Sequence, residues 1–145
     1  MPPVGIASDH AGYGLKTRIA EKLRENGYET RDFGAFSESS SDYPDFAHAL
    51  GTAMDKGELS VAFAVCHTGN GISIALNRHR SVRAALCFAP EIAALAREHN
   101  DANVCSIPAG FVTGEQALEI ANIFLSTPFG NAARHRRRIG KINPE

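Results

Sequence analysis

The sequence contains no tryptophan, and aromatic residues of all kinds make up 8% of its 145 residues. It also lacks any apolar run of the roughly 20 residues that a membrane-spanning helix needs, which argues against a membrane protein. Its formal net charge of −1 gives no overall attraction to nucleic acid. The 43% hydrophobic content is enough for a folded core. We therefore predict one globular domain over residues 1–145.

Cysteine is also scarce, and the three residues of this type, Cys66, Cys87 and Cys105, are spread along the chain. They form none of the close pairs that are typical of a zinc site or a disulfide framework. We therefore expect reduced thiols and neither a bound metal nor another cofactor. The segment from Met1 to Val4 lacks the charged and apolar regions of a secretory signal, so we expect a cytoplasmic protein.

Apolar residues follow two alternating periodicities along the chain. Short apolar runs predict five strands, at 4–8, 28–33, 61–65, 82–88 and 102–107. Between the strands, apolar residues three or four positions apart predict amphipathic helices, and a last helical segment carries a cluster of arginines. Strict alternation of strands and helices predicts a three-layer α/β/α domain with a five-stranded parallel sheet.

The most informative segment is 66–71, Cys-His-Thr-Gly-Asn-Gly, which directly follows the apolar run 61–65. Such a run is typical of a strand buried on both faces, and open α/β sheets bind ligands at the carboxyl ends of their strands. The glycines let the backbone approach a ligand, and helix N-terminal N–H groups can hold an anion. The thiol of Cys66 can then act as a base or a nucleophile. The alternative is an inert, buried cysteine before an ordinary turn.

Two further polar pairs adjoin predicted strands. Asp9 can accept hydrogen bonds from sugar hydroxyls, and His10 can donate to an anion or a hydroxyl; alternatively, Asp9 caps the following helix and His10 faces solvent. His99 and Asn100 close the fourth helix, and we expect them on the ligand-binding edge. There an imidazole can exchange protons with a ring oxygen near neutral pH, unless His99 is only a cation at a helix C-terminus.

Two arginines near the C-terminus, Arg134 and Arg138, are four residues apart and share one face of a helix. Two guanidiniums on one face can bind phosphate, whereas the alternatives are a solvated basic tail or an RNA-binding surface. RNA binding is disfavoured because no aromatic residue interleaves with the cluster. Tyr43, which follows the Ser-rich loop 34–42, either covers a bound substrate or only begins its helix.

Together these features predict proton transfer on a phosphorylated sugar. A base would remove a proton beside a carbonyl, and the loop amides would stabilise the resulting enediolate. An acid would open the sugar ring, while the arginines hold the phosphate away from the reacting carbons.

The sequence resembles the ribose-5-phosphate isomerase B family, which also includes allose- and galactose-phosphate isomerases. The resemblance covers nearly the whole chain and rests on separated motifs: Ser8–Gly12, Asp42–Pro44, Cys66–Ile74, Asn77, Arg83-Ala84, His99–Val104 and the arginines Arg134 and Arg138. It implies a Rossmann-like fold and an aldose–ketose isomerase acting on ribose 5-phosphate and ribulose 5-phosphate. It also implies active sites that are shared across a homodimer, often within a tetramer.

The resemblance further implies a role for each candidate site residue. Cys66 would be the base that transfers the proton, and His99 the acid that opens the ring with the help of Thr68. The anion hole would be formed by the segment His67–Gly71, which includes Gly69, Asn70 and Gly71. The sugar would be bound by Asp9, His10 and Asn100, and the phosphate by Arg134 and Arg138.

Two positions depart from the family pattern. The family usually has glycine after the catalytic cysteine, where this chain has His67. Its usual Gly-Ala-Arg-Val segment after the fifth strand is here Pro108–Val112, with Gly110 at the position of the phosphate-binding arginine. His67 therefore either contacts a different substrate or activates the Cys66 thiol. These departures keep two alternatives open: another sugar phosphate (hexose 6-phosphate or tetrose 4-phosphate), or a non-catalytic sugar-phosphate-binding subunit.

Overall fold

Parallel strands and helices alternate along the chain in the computed structural model, which describes residues 2–144. The strands are β1 (Val4–Ser8), β2 (Thr30–Asp32), β3 (Ala62–Cys66), β4 (Ala84–Leu86) and β5 (Val104–Pro108). The helices are α1 (Tyr13–Glu25), α2 (Tyr43–Asp55), α3 (Asn70–Leu76), α4 (Pro90–Asn100), α5 (Gly114–Ser126) and α6 (Ala133–Gly140). The five strands form one parallel sheet in the order β2-β1-β3-β5-β4, which confirms the predicted fold class. None of the described helices has the length and apolar character that a membrane span requires.

Successive residues of the central strands point into two separate cores, as the alternation of a strand requires. On one face, Ile6 and Phe63 pack with α1, α4 and α5, and the Phe124 ring meets Phe63 edge-on at 5.8 Å between centroids. On the other face, Ala7 and Ala64 pack with α2 and α3. Because β1, β3 and β5 are buried on both faces, their sequences do not alternate between apolar and polar residues: β3 is apolar throughout, and β1 and β5 each carry one buried serine, Ser8 and Ser106.

The strand order reverses between β1 and β3. From β1 the chain crosses outward to β2 and then returns to β3 on the other side. Such a reversal opens a crevice outside the carboxyl ends of the two strands, where ligands of this fold class bind. Ser8 and Cys66 are the last residues of β1 and β3, so the segments 9–12 and 67–71 border this crevice.

A buried lysine holds the segment that leaves β2. Lys16 in α1 has 1% of its side chain exposed, and its Nζ lies 2.9 Å from both carboxylate oxygens of Asp32. The same Nζ donates to the carbonyl of Ala35. These bonds place the beginning of the Ser-rich loop against α1. Ile19 and Leu23 of α1 pack into the core, and the helix also turns Lys16 inward to meet this carboxylate.

Cys87 and Cys105 are fully buried in the core between the sheet and α4 and α5, as expected for small core residues. Burial raises the pKa of the Cys105 thiol, and the neighbouring Cys87 adds to this effect. Neither thiol faces the crevice at Cys66.

Candidate active site

Cys66 ends β3 at the crevice and is 5% exposed. The chain then turns back on itself, and the N–H of Gly69 donates to Cys66 Sγ at 3.2 Å. Gly69 has a φ of +74°, which is the left-handed conformation that glycine adopts most readily, and a Cβ there would overlap the Leu86 side chain. The turn therefore needs this glycine, and it aims a backbone donor at the sulfur before α3 begins at Asn70.

The rest of the loop presents polar groups to the crevice. Thr68 is exposed, and its Oγ1 accepts from the N–H of Asn70 at 3.2 Å. The Tyr43 ring lies so close to Gly71 that a Cβ there would be 2.5 Å from the ring. Beside the loop is a cavity of about 400 Å³, lined by Thr68, Asn70, Leu86, Phe88, Pro108 and Phe111. Tyr43 thus covers one part of the loop, while Thr68 and Asn70 face open space.

Asp9 and His10 border the same crevice from the end of β1. Asp9 is 7% exposed, and its Oδ1 accepts from the N–H of Gly12 at 3.1 Å. This bond closes the turn ahead of α1, whose N-cap is Gly12 and has no side-chain capping bond, so Asp9 does not cap the helix. His10 is held by Ser41 through two hydrogen bonds. The backbone N–H of Ser41 donates to His10 Nδ1 at 3.1 Å, and Ser41 Oγ accepts from the backbone N–H of His10 at 3.0 Å. Because Nδ1 accepts, a neutral His10 ring carries its proton on Nε2 and keeps a donor.

His99 and Asn100 lie at the opposite edge of the sheet. They end α4, which runs antiparallel to the strands and returns the chain to the start of β5. The next residue, Asp101, accepts through its carbonyl from Arg83 Nε at 2.9 Å, just before β4 begins. The length of β5 separates this amino edge from Cys66 by about 13 Å. The expectation that His99 and Asn100 share an edge with Cys66 is therefore wrong within a single chain.

The basic helix α6 packs against the end of α4. His135 is buried, and its ring stacks on His99 at 4.3 Å between centroids and 34° between planes. Burial lowers the pKa of His135, and positive charge on His99, Arg134 and Arg138 acts in the same direction. His135 therefore stays neutral more readily than an exposed histidine and supports the exposed His99 ring. Arg134, directly before His135, and Arg138, three residues after it, are exposed at this amino edge.

The candidate residues thus fall into two groups that one chain does not bring together. The carboxyl edge carries Asp9, His10, Tyr43, Cys66, His67, Thr68, Gly69, Asn70 and Gly71. The amino edge carries His99, Asn100, Arg134 and Arg138. Each group has half of the predicted chemistry: the first has the thiol and the anion-binding loop, and the second has the imidazole and the guanidiniums.

A histidine network outside both groups was not expected from the sequence. His48 Nδ1 lies 2.9 Å from His79 Nε2, and His79 Nδ1 lies 2.9 Å from Asp55 Oδ2. Hydrogen bonds from Ser81 and then from His79 lower the pKa of Asp55, although desolvation acts the other way. These residues join α2 to the loop before β4, and their distant spacing in the sequence gives no signal of the contact. Over residues 2–144, no group of three histidine, cysteine or acidic side chains is placed to hold a metal ion.

Comparisons with known proteins agree with this architecture. The model of a family described as Ribose/Galactose Isomerase matches residues 4–142. Ribose-5-phosphate isomerase B of Mycobacterium tuberculosis is 42% identical over 139 residues, which are 94% of this chain and 85% of that protein. The enzyme of the same name from Escherichia coli is 36% identical over 142 residues, 98% of this chain and 95% of its own length.

Solved structures give the same result. A ribose 5-phosphate isomerase from Thermotoga maritima has a TM-score of 0.94 and 45% identity, with 97% of each chain covered. Ribose-5-phosphate isomerase B from Mycoplasma genitalium, solved with bound ribulose-5-phosphate, has a TM-score of 0.91 and 37% identity, with 97% of this chain and 93% of that chain covered. The fold is thus that of an isomerase of the α/β class. The chain belongs to the ribose/galactose isomerase family.

Proposed function

We propose that this protein is an aldose–ketose isomerase that interconverts ribose 5-phosphate and ribulose 5-phosphate without a cofactor. The observation that carries the proposal is the Cys66 thiol, held under the Gly69 N–H at the crevice where this fold class binds ligands. The relatives named above support the proposal. They match this chain over most of its length and bear the name ribose-5-phosphate isomerase B, and one was solved with ribulose-5-phosphate.

The carboxyl edge supplies the proton transfer. Cys66 as thiolate removes the proton from C2 of the open-chain aldose and returns it to C1, passing through an enediolate. The proton of the C2 hydroxyl moves to the oxygen on C1 in the same exchange, which leaves the carbonyl at C2. The N–H of Gly71, in the first turn of α3, stabilises the negative charge that develops on oxygen, while the Gly69 N–H donates to Cys66 Sγ and the Asn70 N–H to Thr68 Oγ1. Asp9 and His10 bind sugar hydroxyls, His10 through the donor on Nε2, and Tyr43 covers the loop.

The amino edge supplies ring opening and phosphate binding. His99 protonates the ring oxygen with the help of Thr68, and Asn100 binds the sugar beside it. Arg134 and Arg138 bind the phosphate with their paired guanidiniums. Since these groups lie about 13 Å from Cys66 in one chain, they act on the substrate at the Cys66 loop of a second copy.

The working assembly is therefore a homodimer, alone or as half of a tetramer, in which each copy offers one edge to each of two shared sites. A two-fold axis makes the two sites identical, because each copy contributes its carboxyl edge to one site and its amino edge to the other. Nucleic acid and membranes have no part in this function. The reduced Cys66 thiol that the reaction requires fits the cytoplasm.

A second candidate keeps the chemistry and changes the sugar to a hexose 6-phosphate or a tetrose 4-phosphate. The observation that favours it is the presence of His67 beside the crevice and of glycine at position 110, where an arginine is usual in the family. A non-catalytic sugar-phosphate-binding subunit is the third, and the retained Cys66 and His99 argue against it.

A coupled isomerase assay across pentose, hexose and tetrose phosphates tests these candidates directly. We expect the highest kcat/KM on ribose 5-phosphate, and we expect Cys66→Ser to lower kcat by about 10²–10⁴-fold, which is the usual contribution of general base catalysis. Cys87→Ala removes a thiol from the core as the matched control and should keep near wild-type turnover. Full activity of a folded Cys66→Ser enzyme would remove the thiol from its proposed role, and turnover of hexose or tetrose phosphates alone would favour the second candidate.

A further inference from the structure

His67 and Gly110 form a contact that the proposed chemistry does not use. The pairing of β3 with β5 continues past the strands: the Ala109 N–H donates to the Cys66 carbonyl, and the Gly110 N–H to the His67 carbonyl, both at 2.9 Å. The imidazole of His67 lies over Gly110, where any Cβ would overlap the ring and stand 2.9 Å from Nε2. It also lies beside the Phe111 ring, with centroids 5.4 Å apart and planes at 56°. Gly110 is therefore what allows the ring to occupy this place.

The imidazole is placed to meet a ligand rather than to stabilise the fold. It is exposed, and neither ring nitrogen has a hydrogen-bond partner among residues 2–144. It follows Cys66 directly and lies against Phe111 at the rim of the 400 Å³ cavity beside the loop. Neither the segment 67–71 nor the segment 108–112 contains a carboxylate, so no negative charge on these two segments opposes an anion.

We propose that the His67 imidazole binds the phosphate of the substrate, and that His67 and Gly110 act as one specificity-determining pair. The inference rests on the proposed function and adds to it the group on the β5 side that holds the anionic end of the sugar phosphate. Phosphate is the charged group of such a substrate, and an imidazolium can donate a charge-assisted hydrogen bond to it.

The pair also explains both departures from the family pattern as one change. A guanidinium at position 110 and an imidazole at position 67 would compete for the same space, since even a Cβ at 110 overlaps the ring. With glycine at position 110, the hydrogen-bond donor to the phosphate is the imidazole of His67 instead of a guanidinium. The imidazole is shorter and stiffer than an arginine side chain, so it fixes the phosphate at a more restricted distance from Cys66.

A double-mutant cycle tests the pair: His67→Ala, Gly110→Ala and the combination, with Gly14→Ala as the matched glycine control because a Cβ at Gly14 meets nothing within 4 Å. For each variant we would measure kcat and KM on ribose 5-phosphate and, by calorimetry, the Kd of inorganic phosphate. His67→Ala should raise KM and Kd roughly tenfold with little change in kcat, as expected for the loss of one charge-assisted bond. Gly110→Ala should act similarly by displacing the ring, and the double variant should be no worse than His67→Ala.

The combined substitutions His67→Gly and Gly110→Arg should restore KM and Kd to within about threefold of the wild type, since a guanidinium then has the space. Three results would overturn the proposal: KM and Kd within twofold of the wild type in His67→Ala, a loss confined to kcat, or additive effects in the double variant. If the wild type does not turn over ribose 5-phosphate but its phosphate Kd depends on His67, the proposed function fails while the phosphate contact stands.

Discussion

The split of the candidate residues between two edges predicts that two inactive variants restore each other's activity. Cys66→Ser removes the base at the carboxyl edge, and His99→Ala removes the acid at the amino edge. In a dimer that contains one chain of each kind, the intact Cys66 of one copy meets the intact His99 of the other at one of the two sites. The second site then carries both defects.

The expected magnitude follows from counting sites. A dimer purified through two different affinity tags contains one intact site out of two, so it should show about half of the wild-type kcat per dimer. Either homodimer should show 10²–10⁴-fold less than the wild type if its missing group is a general acid or base. The length of β5 puts the two edges about 13 Å apart at opposite ends of the sheet, so we expect that one chain does not complete the site alone.

The matched control pairs two defects on the same edge. Cys66→Ser combined with Asp9→Asn in one dimer leaves a damaged carboxyl edge at both sites, so activity should not return. Turnover is measured by the coupled assay, and native mass spectrometry verifies that the mixed dimers are present. Mixed dimers of Cys66→Ser and His99→Ala with no gain over the homodimers would refute the shared-site reasoning.

Three further outcomes are expected from the contacts described above. Arg138→Ala should raise KM for ribose 5-phosphate about tenfold with a smaller change in kcat, whereas Arg137→Ala should leave KM within twofold. Equal changes of KM in the two variants, measured by steady-state kinetics, would show that the phosphate binds elsewhere. Asp32→Asn leaves the Lys16 ammonium buried without its counter-charge and should lower the free energy of unfolding by about 2 kcal/mol. The loss is smaller than for a fully buried pair because Asp32 is 42% exposed. A urea titration that shows a loss under about 0.5 kcal/mol would contradict this expectation. The pKa of Asp55 is lowered in the folded protein, so its ionised form stabilises the fold above the ordinary carboxyl range, and this contribution is lost as the pH falls through the folded-state pKa. In the wild type the urea concentration at the unfolding midpoint should therefore fall between about pH 5 and pH 3, and Asp55→Asn should make this fall smaller. The same fall in both proteins would show that the ionisation of Asp55 is not linked to folding.

Much of the fold was predictable because the central strands carry an unambiguous signal. The run at 61–65 has no polar residue, and its short length and two valines favour a strand covered on both faces. The edge strands were predicted too long: the segment 28–33 contains only Thr30–Asp32 as paired strand, since an edge strand pairs on one side and frays at its ends.

The carboxyl-edge residues were predictable for the same reason, because a residue that follows a parallel strand must lie at that strand's carboxyl end. His99 was misplaced because it ends a helix, and the end of a crossover helix returns the chain to the amino edge. The contact between His67 and Gly110 had no signal at all, since 43 positions separate them. Asn77 and Asn103, which belong to the family motifs, both hold the start of β4. The side-chain amide of Asn77 forms two hydrogen bonds with the backbone of Ala84, and that of Asn103 bonds the backbone of Ser81 and of Arg83.

The helix that carries the arginines has a thermodynamic consequence of its own. Of the eight residues of α6, His135 alone is buried, so the packing that holds the helix depends largely on one imidazole stacked on His99. An element with so little buried surface opens at a small fraction of the global unfolding free energy. In the single chain its amide hydrogens should therefore exchange faster than those of α5, and both the second copy and an anion bound by the guanidiniums should slow them. If Arg134 and Arg138 bind the phosphate as proposed, the helix that recognises it is also the part of the chain that the phosphate orders most, and some of the binding energy is spent on ordering α6.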